Sequence, residues 1–341
     1  MIEHRSLRNN DRGIAVIIAA IAAVDLTAVQ FFPFKIEWAS FVIPLTACAL
    51  LMCAGWFYHA IRPDIRLASA LTVTAQIVAF AAVGAPLSYL VATAGLPLQD
   101  ARFSAWDQYL GVDWLGYLTF ISRHPVLHGI LATAYASFSL QTIATVLILA
   151  LSGQVFRLRI FVKAFVATTL VTIAVSAALP AEGPWLFHAV EATVANGYAE
   201  PLSATSWPVF FGLRAGTFTT LSGLNSEGII TFPSLHAALA VLFTMALWRT
   251  PGVKWIFLVL NIAMIMATPL EGSHYIVDVL AGITITFLAW VAVAKTASRP
   301  QWSPLLRLAQ SPSIAPELKA VSLPVFESGE LELPEPEIAQ P

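Results

Sequence analysis

Pro233-Ser234-Leu235-His236 opens one apolar stretch of near-membrane length, and Ser273-His274-Tyr275-Ile276-Val277-Asp278 opens another, two stretches later. Ionisable side chains are costly to place beside a bilayer. Two histidines at the mouths of hydrophobic spans, on what span parity makes one membrane face, therefore point to chemistry. Asp278 follows His274 by four residues. On a helix that spacing stacks the carboxylate over the imidazole, where it can hold one ring N–H and favour the nucleophilic tautomer. His236 supplies a partner imidazole.

Composition defines the elements that must position these groups. A chain of 341 residues that is 58% apolar and 11% charged, with mean hydropathy +0.76, reads as a polytopic helical membrane protein. About 20 apolar residues cross a bilayer. Segmenting on that length predicts an all-α fold with about eight transmembrane helices, near 14–32, 40–58, 67–92, 126–151, 160–180, 234–249, 254–270 and 274–294. With the N-terminus cytoplasmic, fourteen of the eighteen Lys and Arg residues fall on the cytoplasmic side, leaving Lys35, Arg102, Arg123 and Arg214 outside. Both termini are then cytoplasmic and both histidines face outward. Ala20-Ile21-Ala22 could form a signal-peptidase site, but the apolar run continues to Phe32 and reads as a retained helix.

Charge is near balance, with no dense basic stripe, so no nucleic-acid partner is expected. Cys48 and Cys53 lack metal-type spacing and read as core or lipid-facing thiols. Three regions follow: residues 1–92 with three transmembrane helices, a 93–298 membrane core, and a 299–341 cytoplasmic tail whose prolines and glutamates predict disorder. Within the core, residues 93–125 mix aromatics with Asp100, Arg102, Asp107 and Asp113, as in an interfacial helix. Residues 181–233, rich in Gly, Pro and aromatics, read as a partly re-entrant lid.

Pro233-Ser234-Leu235-His236 and His274-x-x-x-Asp278, the latter followed by Val279-Leu280-Ala281-Gly282, resemble the second and third signature motifs of the type 2 phosphatidic acid phosphatase superfamily. Leu235, with Leu179-Pro180-Ala181-Glu182-Gly183-Pro184-Trp185 upstream, is more similar to the inositol phosphorylceramide synthase branch. The resemblance covers roughly residues 105–294 and implies a six-helix phosphatase-like core. It also implies that His274 attacks phosphorus to form a phosphohistidine, that Asp278 orients it, and that His236 protonates the leaving alkoxide and then activates the acceptor. The superfamily's first motif, a lysine followed seven residues later by Arg-Pro, is missing. Arg62-Pro63 and Arg299-Pro300 lack the lysine and fall on the other face. Thr268 stands where an arginine usually precedes the third-motif histidine, and Leu235 replaces a glycine.

Phosphate binding is then expected from Ser234 and Ser273 with the free amides at the starts of their helices, and from Arg214 and Arg123, with Arg102 next and Lys35 too far away. Each assignment has a plainer counterpart. Ser234 can serve only as a cap, and Arg123 can anchor an interfacial segment to lipid headgroups. His124, His128 and His188 could bind a metal, but no carboxylate or cysteine close in sequence completes the set. Glu271 can repel a phosphate, tune His274 or face solvent. Asp25, Gln76 and Gln141 read as interhelical hydrogen-bonding groups.

The expected function is a metal-independent membrane enzyme of lipid metabolism, needing no cofactor. It would cleave a membrane lipid phosphoester at the outer leaflet as phosphatase or phosphotransferase, with water or an alcohol as acceptor. The short loops suit a bacterial inner membrane with the site facing the periplasm. A transporter or channel is the alternative, and would place its polar groups at the membrane midplane on broken helices. An intramembrane Ser-His protease is a third, weakly represented by Thr220-Leu221-Ser222-Gly223 in the lid.

Overall fold

The computed structural model describes residues 2–31, 34–190, 200–223 and 226–297, with side chains from Arg12 onward. The expected tail at 299–341 lies outside them. Lipid offers the backbone no hydrogen-bonding partner, so the apolar stretches close their hydrogen bonds internally as helices. These are α1 (Ile2–Ala28), α2 (Val42–Ala60), α3 (Ile65–Ala92), α4 (Asp100–Tyr109), α5 (Trp114–Ser122), α6 (Pro125–Ala136), α7 (Phe138–Leu151), α8 (Val155–Ala178), α9 (Pro184–Phe187), α10 (Trp207–Ala215), α11 (Leu235–Leu247), α12 (Val253–Glu271) and α13 (Ile276–Thr296). Two three-residue strands, β1 (Lys35–Glu37) and β2 (Thr220–Ser222), pair in parallel. The fold is all-α and polytopic.

Every predicted membrane stretch is helical, but not every one has membrane length. Among the described residues, five helices are long and apolar enough to cross, Trp38–Ala60, α3, α8, α12 and α13, and the bent pair α6–α7 makes a sixth. The first half of α1 carries Arg5, Arg8, Asp11 and Arg12. The 13 residues of α11 reach only about 20 Å at 1.5 Å per residue. That helix is packed among α7, α8, α12 and α13. Ala237 to Ala240, Leu242, Phe243, Ala246 and Leu247 are fully buried. A helix sheathed in protein has no need to match the lipid.

The stretch expected as one span over 126–151 bends by 54° between α6 and α7. Hydroxyls at the break compete for backbone acceptors: Ser137 Oγ donates to the Ala134 carbonyl at 2.6 Å and Thr133 Oγ1 to that of Gly129 at 2.7 Å. Gln141 Nε2 then donates to Ser137 Oγ at 2.9 Å and to Met264 Sδ of α12 at 3.6 Å.

α11 and α13 dock at their N-terminal ends. The Ser234 N–H donates to the Asp278 carbonyl at 3.0 Å, and Thr286 Oγ1 donates to the Ala238 carbonyl at 2.9 Å. Gly282 lies so close that a Cβ there would overlap the Ser234 carbonyl oxygen. From the interface, α4 reaches over both helix starts. Phe103 is fully buried, stacked on Phe232 with ring centroids 4.4 Å apart and 6.0 Å from Tyr275. In α5, Trp114 Nε1 donates to the Pro269 carbonyl at 3.1 Å and Tyr117 Oη to that of Met266 at 2.7 Å, satisfying carbonyls at the end of α12. The lid is stapled at its far end by β2, whose partner β1 carries Lys35, so that connection is not remote from the lid after all.

Gly282→Ala is expected to push α11 and α13 apart against backbone rather than a yielding side chain, at a cost of about 1–3 kcal/mol typical of overpacking. Thermal unfolding in detergent should move down, and turnover should fall more than that loss explains. Unchanged stability and turnover would mean the close approach carries no weight.

Candidate active site

His236 and His274 line one cavity of about 290 Å³. Its apolar walls come from Phe80 and Gly84 of α3, Phe165 and Ile173 of α8, and Trp207 and Phe210 of α10, while Tyr135, Glu182, Glu227 and Thr231 contribute polar groups. The two motifs, 38 positions apart in sequence, therefore meet at one chamber.

His274 is 3% exposed and its Nδ1 stands 3.3 Å from Asp278 Oδ2. The pairing is not the stacked turn that the four-residue spacing predicts. His274 precedes α13: Tyr275 is the N-cap, and Ser273 adopts a left-handed φ of 51°. Asp278 sits in the first turn, where its Oδ2 also accepts from the Tyr275 N–H at 2.9 Å, so the carboxylate that caps the helix also holds the imidazole. Burial, and next the neighbouring His236, push the His274 pKa down to about 3, against an upward pull from the Thr231 carbonyl. The ring is neutral at pH 7, the state in which its second nitrogen is a nucleophile.

His236 is fixed differently. Its imidazole stacks on Tyr135 with centroids 3.9 Å apart and planes 16° apart, and Phe138 approaches to 5.1 Å. Tyr135 and Phe138 flank the α6–α7 break, so the bend brings both rings against the histidine.

The four expected phosphate-binding residues do not line the cavity. Ser234 is fully buried and caps α11, its Oγ accepting from the Ala237 N–H at 3.3 Å. Ser273 Oγ accepts from the Trp185 N–H at 3.1 Å, tying the lid's start to the histidine loop. Arg214 donates to the Leu96 carbonyl at 2.7 Å with its guanidinium 5.5 Å over Phe210. It also tempers Glu182, whose pKa is raised by burial and then by Asp100. Arg123 stands exposed at the end of α5. Among the described residues, no lysine or arginine lines the chamber.

The three candidate metal histidines do not converge. His124 Nδ1 lies 2.7 Å from the Phe120 carbonyl, His188 stacks on Trp114, and His128 Nε2 pairs with Glu271 Oε1 at 2.8 Å. Glu271 is 2% exposed, turned from solvent, and its Oε2 accepts from the Leu202 N–H at 3.2 Å. Among the described residues no group of three His, Cys, Asp or Glu side chains could hold a metal.

By sequence pattern Asp100 and Asp107 belong to the polar side of an interfacial helix. Both are 3% exposed. Asp107 accepts from the N–H groups of Ile276 and Val277 at 2.8 and 3.0 Å, capping α13 from another element. Asp100 accepts from the N–H groups of Glu182 and Gly183 at 3.1 and 2.9 Å and from Tyr275 Oη at 3.1 Å. The available signal was their seven-residue spacing, two turns on one helix face.

A family model described as the PAP2 superfamily matches residues 101–292, more than half of the chain, from α4 through α13. No curated protein and no solved structure gives a significant match.

The depressed His274 pKa has a defined consequence for stability. Below the ordinary histidine value of 6.5 the unfolded chain takes up a proton that the native chain refuses until about pH 3. Native stability from this group is complete above about pH 6.5 and declines as pH falls through that window, by up to about 1.4 kcal/mol per pH unit. His274→Gln should flatten the loss of melting temperature between pH 7 and 4; an identical slope would contradict the assignment.

Proposed function

We propose that this chain, which belongs to the PAP2 superfamily, is an integral membrane lipid phosphatase or phosphotransferase that cleaves a lipid phosphoester through a phosphohistidine at His274. The observation that carries the reading is the meeting of His236 and the Asp278-held His274 on one chamber walled by membrane helices. With Nδ1 against Asp278, Nε2 is the attacking nitrogen. Its lone pair forms the N–P bond as the bond from phosphorus to the leaving oxygen breaks. His236, entering the step as the imidazolium, hands its proton to that oxygen and, now neutral, takes one from the acceptor hydroxyl that displaces His274. Positive charge appearing on His274 is met by Asp278. The α3–α8 side of the chamber is apolar and suits a lipid chain, while Glu182, Glu227 and the lid's Trp207 stand with the polar end. Arg214, beside Glu182, is the cation this reading keeps nearest the headgroup, whereas Arg123 plays no direct part. Ser234 and Ser273 act by holding the backbones that carry the histidines.

The sidedness of the basic residues supports an outer-leaflet site with both termini cytoplasmic, an arrangement that suits a bacterial inner membrane. The Leu235 variant and the 179–185 segment favour the inositol phosphorylceramide synthase-like branch, hence transfer to an alcohol over hydrolysis. A transporter or channel fits less well, because the ionisable groups gather at helix starts rather than at broken helices in the midplane.

His274→Ala is expected to abolish turnover, and His236→Ala to reduce it about 100- to 10,000-fold, the usual worth of general acid–base catalysis. Mass spectrometry of products from a panel of phospholipids and prenyl phosphates, with and without alcohols, reads the reaction directly. Free phosphate marks a hydrolase and a new phosphodiester a transferase, while full turnover in either variant would defeat the mechanism. Activity should also survive a strong chelator; loss that zinc restores would replace the histidine route with a metal one.

A further inference from the structure

A phosphoryl group in flight spreads negative charge over three equatorial oxygens, and catalysis depends on donors already aimed at them. With no lysine or arginine on the chamber wall among the described residues, the donors the wall itself offers are neutral. Two are backbone: the Leu235 and His236 N–H groups at the start of α11 have no partner among the described residues, since Ser234 Oγ takes the N–H of Ala237.

We infer that the third is the hydroxyl of Tyr135, a catalytic hydrogen-bond donor to the reacting phosphoryl group. Tyr135 is only 8% exposed, yet it lines the cavity, and its Oη has no hydrogen-bond partner among the described residues. A hydroxyl that opens into a cavity and has no protein partner is free to bond whatever occupies the site. Its position is tightly bounded. A point one carbon out from the Gly272 backbone lies 2.8 Å from Tyr135 Oη and 2.8 Å from His274 Nε2, so hydroxyl and nucleophile are separated by at most twice that distance. An atom bonded to Nε2 on the side that faces Tyr135 would bring its own oxygens toward the hydroxyl. The same ring stacks on His236, so one residue joins the proposed acid to the space beside His274 Nε2. Throughout the transfer Tyr135 keeps its proton: the N–P bond forms, the P–O bond to the leaving group breaks, the proton comes from His236, and the phenol only shortens its hydrogen bond.

This inference rests on the phosphohistidine reading, and the test separates the two. Purified full-length protein carrying Tyr135→Phe keeps the ring and its stack on His236 and loses only the hydroxyl. It should melt near the wild-type temperature and lose about 100-fold in kcat with little change in KM, the effect of deleting one donor that acts in the transition state. Inhibition by orthovanadate, which adopts the five-coordinate geometry of transfer, should weaken by a comparable factor. Wild-type kcat, or a rise in KM alone, in Tyr135→Phe beside an inactive His274→Ala overturns the role of Tyr135 and leaves the phosphohistidine reading intact. Turnover in His274→Ala overturns both. Should Tyr135→Phe fail to fold, ring-fluorinated tyrosine at position 135 keeps the shape and sharpens the donor. A kcat that responds to the phenol's acidity supports the role, and one indifferent to it overturns it.

Discussion

One backbone hydrogen bond, from the Ser234 N–H to the Asp278 carbonyl, ties the start of α11, which carries His236, to that of α13, which His274 precedes. It forms only because Gly282 lets the chains approach until the Ser234 carbonyl fills the place of a side chain. Catalytic groups on separate helices are useful only if their relative position is fixed far more tightly than side-chain packing alone secures. Here Asp278 bonds through its own peptide carbonyl to the other helix, and through its carboxylate to Tyr275 N–H and His274. A change at this residue is felt at both motifs at once.

The same logic governs the aqueous side, where α4 holds the helix starts by satisfying N–H groups rather than by pairing charges. The first four N–H groups of a helix have no intrahelical partner, and at a membrane boundary water cannot be relied on to serve them. Asp107 takes two of those of α13, and Asp100 takes the two that begin the lid together with the Tyr275 hydroxyl. Buried carboxylates are usually explained by a cation nearby. These two are explained by converging backbone amides, an arrangement in which the helix dipole of α13 also favours the negative charge.

Much of this was legible in the residues. Apolar length located the helices, because in lipid the backbone has no alternative to the helix, and the ordered motifs pointed to two histidines that line one cavity. Less legible was whatever depended on three-dimensional contact. The break between α6 and α7 is invisible to hydropathy, since Ser137 and Thr133 are common enough inside spans and act only through the carbonyls they reach. The short α11 was drawn too long, since a sliding window cannot tell a helix facing lipid from one sheathed by four others. The spacing of His274 and Asp278 was read as a helical turn, whereas a capping carboxylate reaches back over the same four residues without one. Asp100 and Asp107 looked like the polar face of an interfacial helix, and only their partners reveal them as clamps. The arginines were chosen for charge and sidedness; Arg214 instead bonds the Leu96 carbonyl and covers Phe210, and Arg123 is left to solvent.

On the proposed reading the site takes an anion, and its lack of wall cations follows from where it sits. A lysine or arginine facing a chamber whose walls are Phe80, Phe165 and Phe210 would have to give up its hydration whenever the site stood empty, a penalty of several kcal/mol unless a carboxylate stayed beside it. Such a carboxylate would then compete with the substrate for the cation. Neutral donors ease that trade: a phenol and two helix-terminal amides cost less to leave unpaired than a charge does, and in the proposed transfer the low dielectric would strengthen their hold on charge developing on the phosphoryl oxygens. Charged groups are instead kept to the polar rim, where Glu182 and Arg214 balance one another. The absence of lysine and arginine from the wall among the described residues thus fits a largely apolar chamber, in which the proposed reading has hydrogen bonds set in advance do the work of point charges.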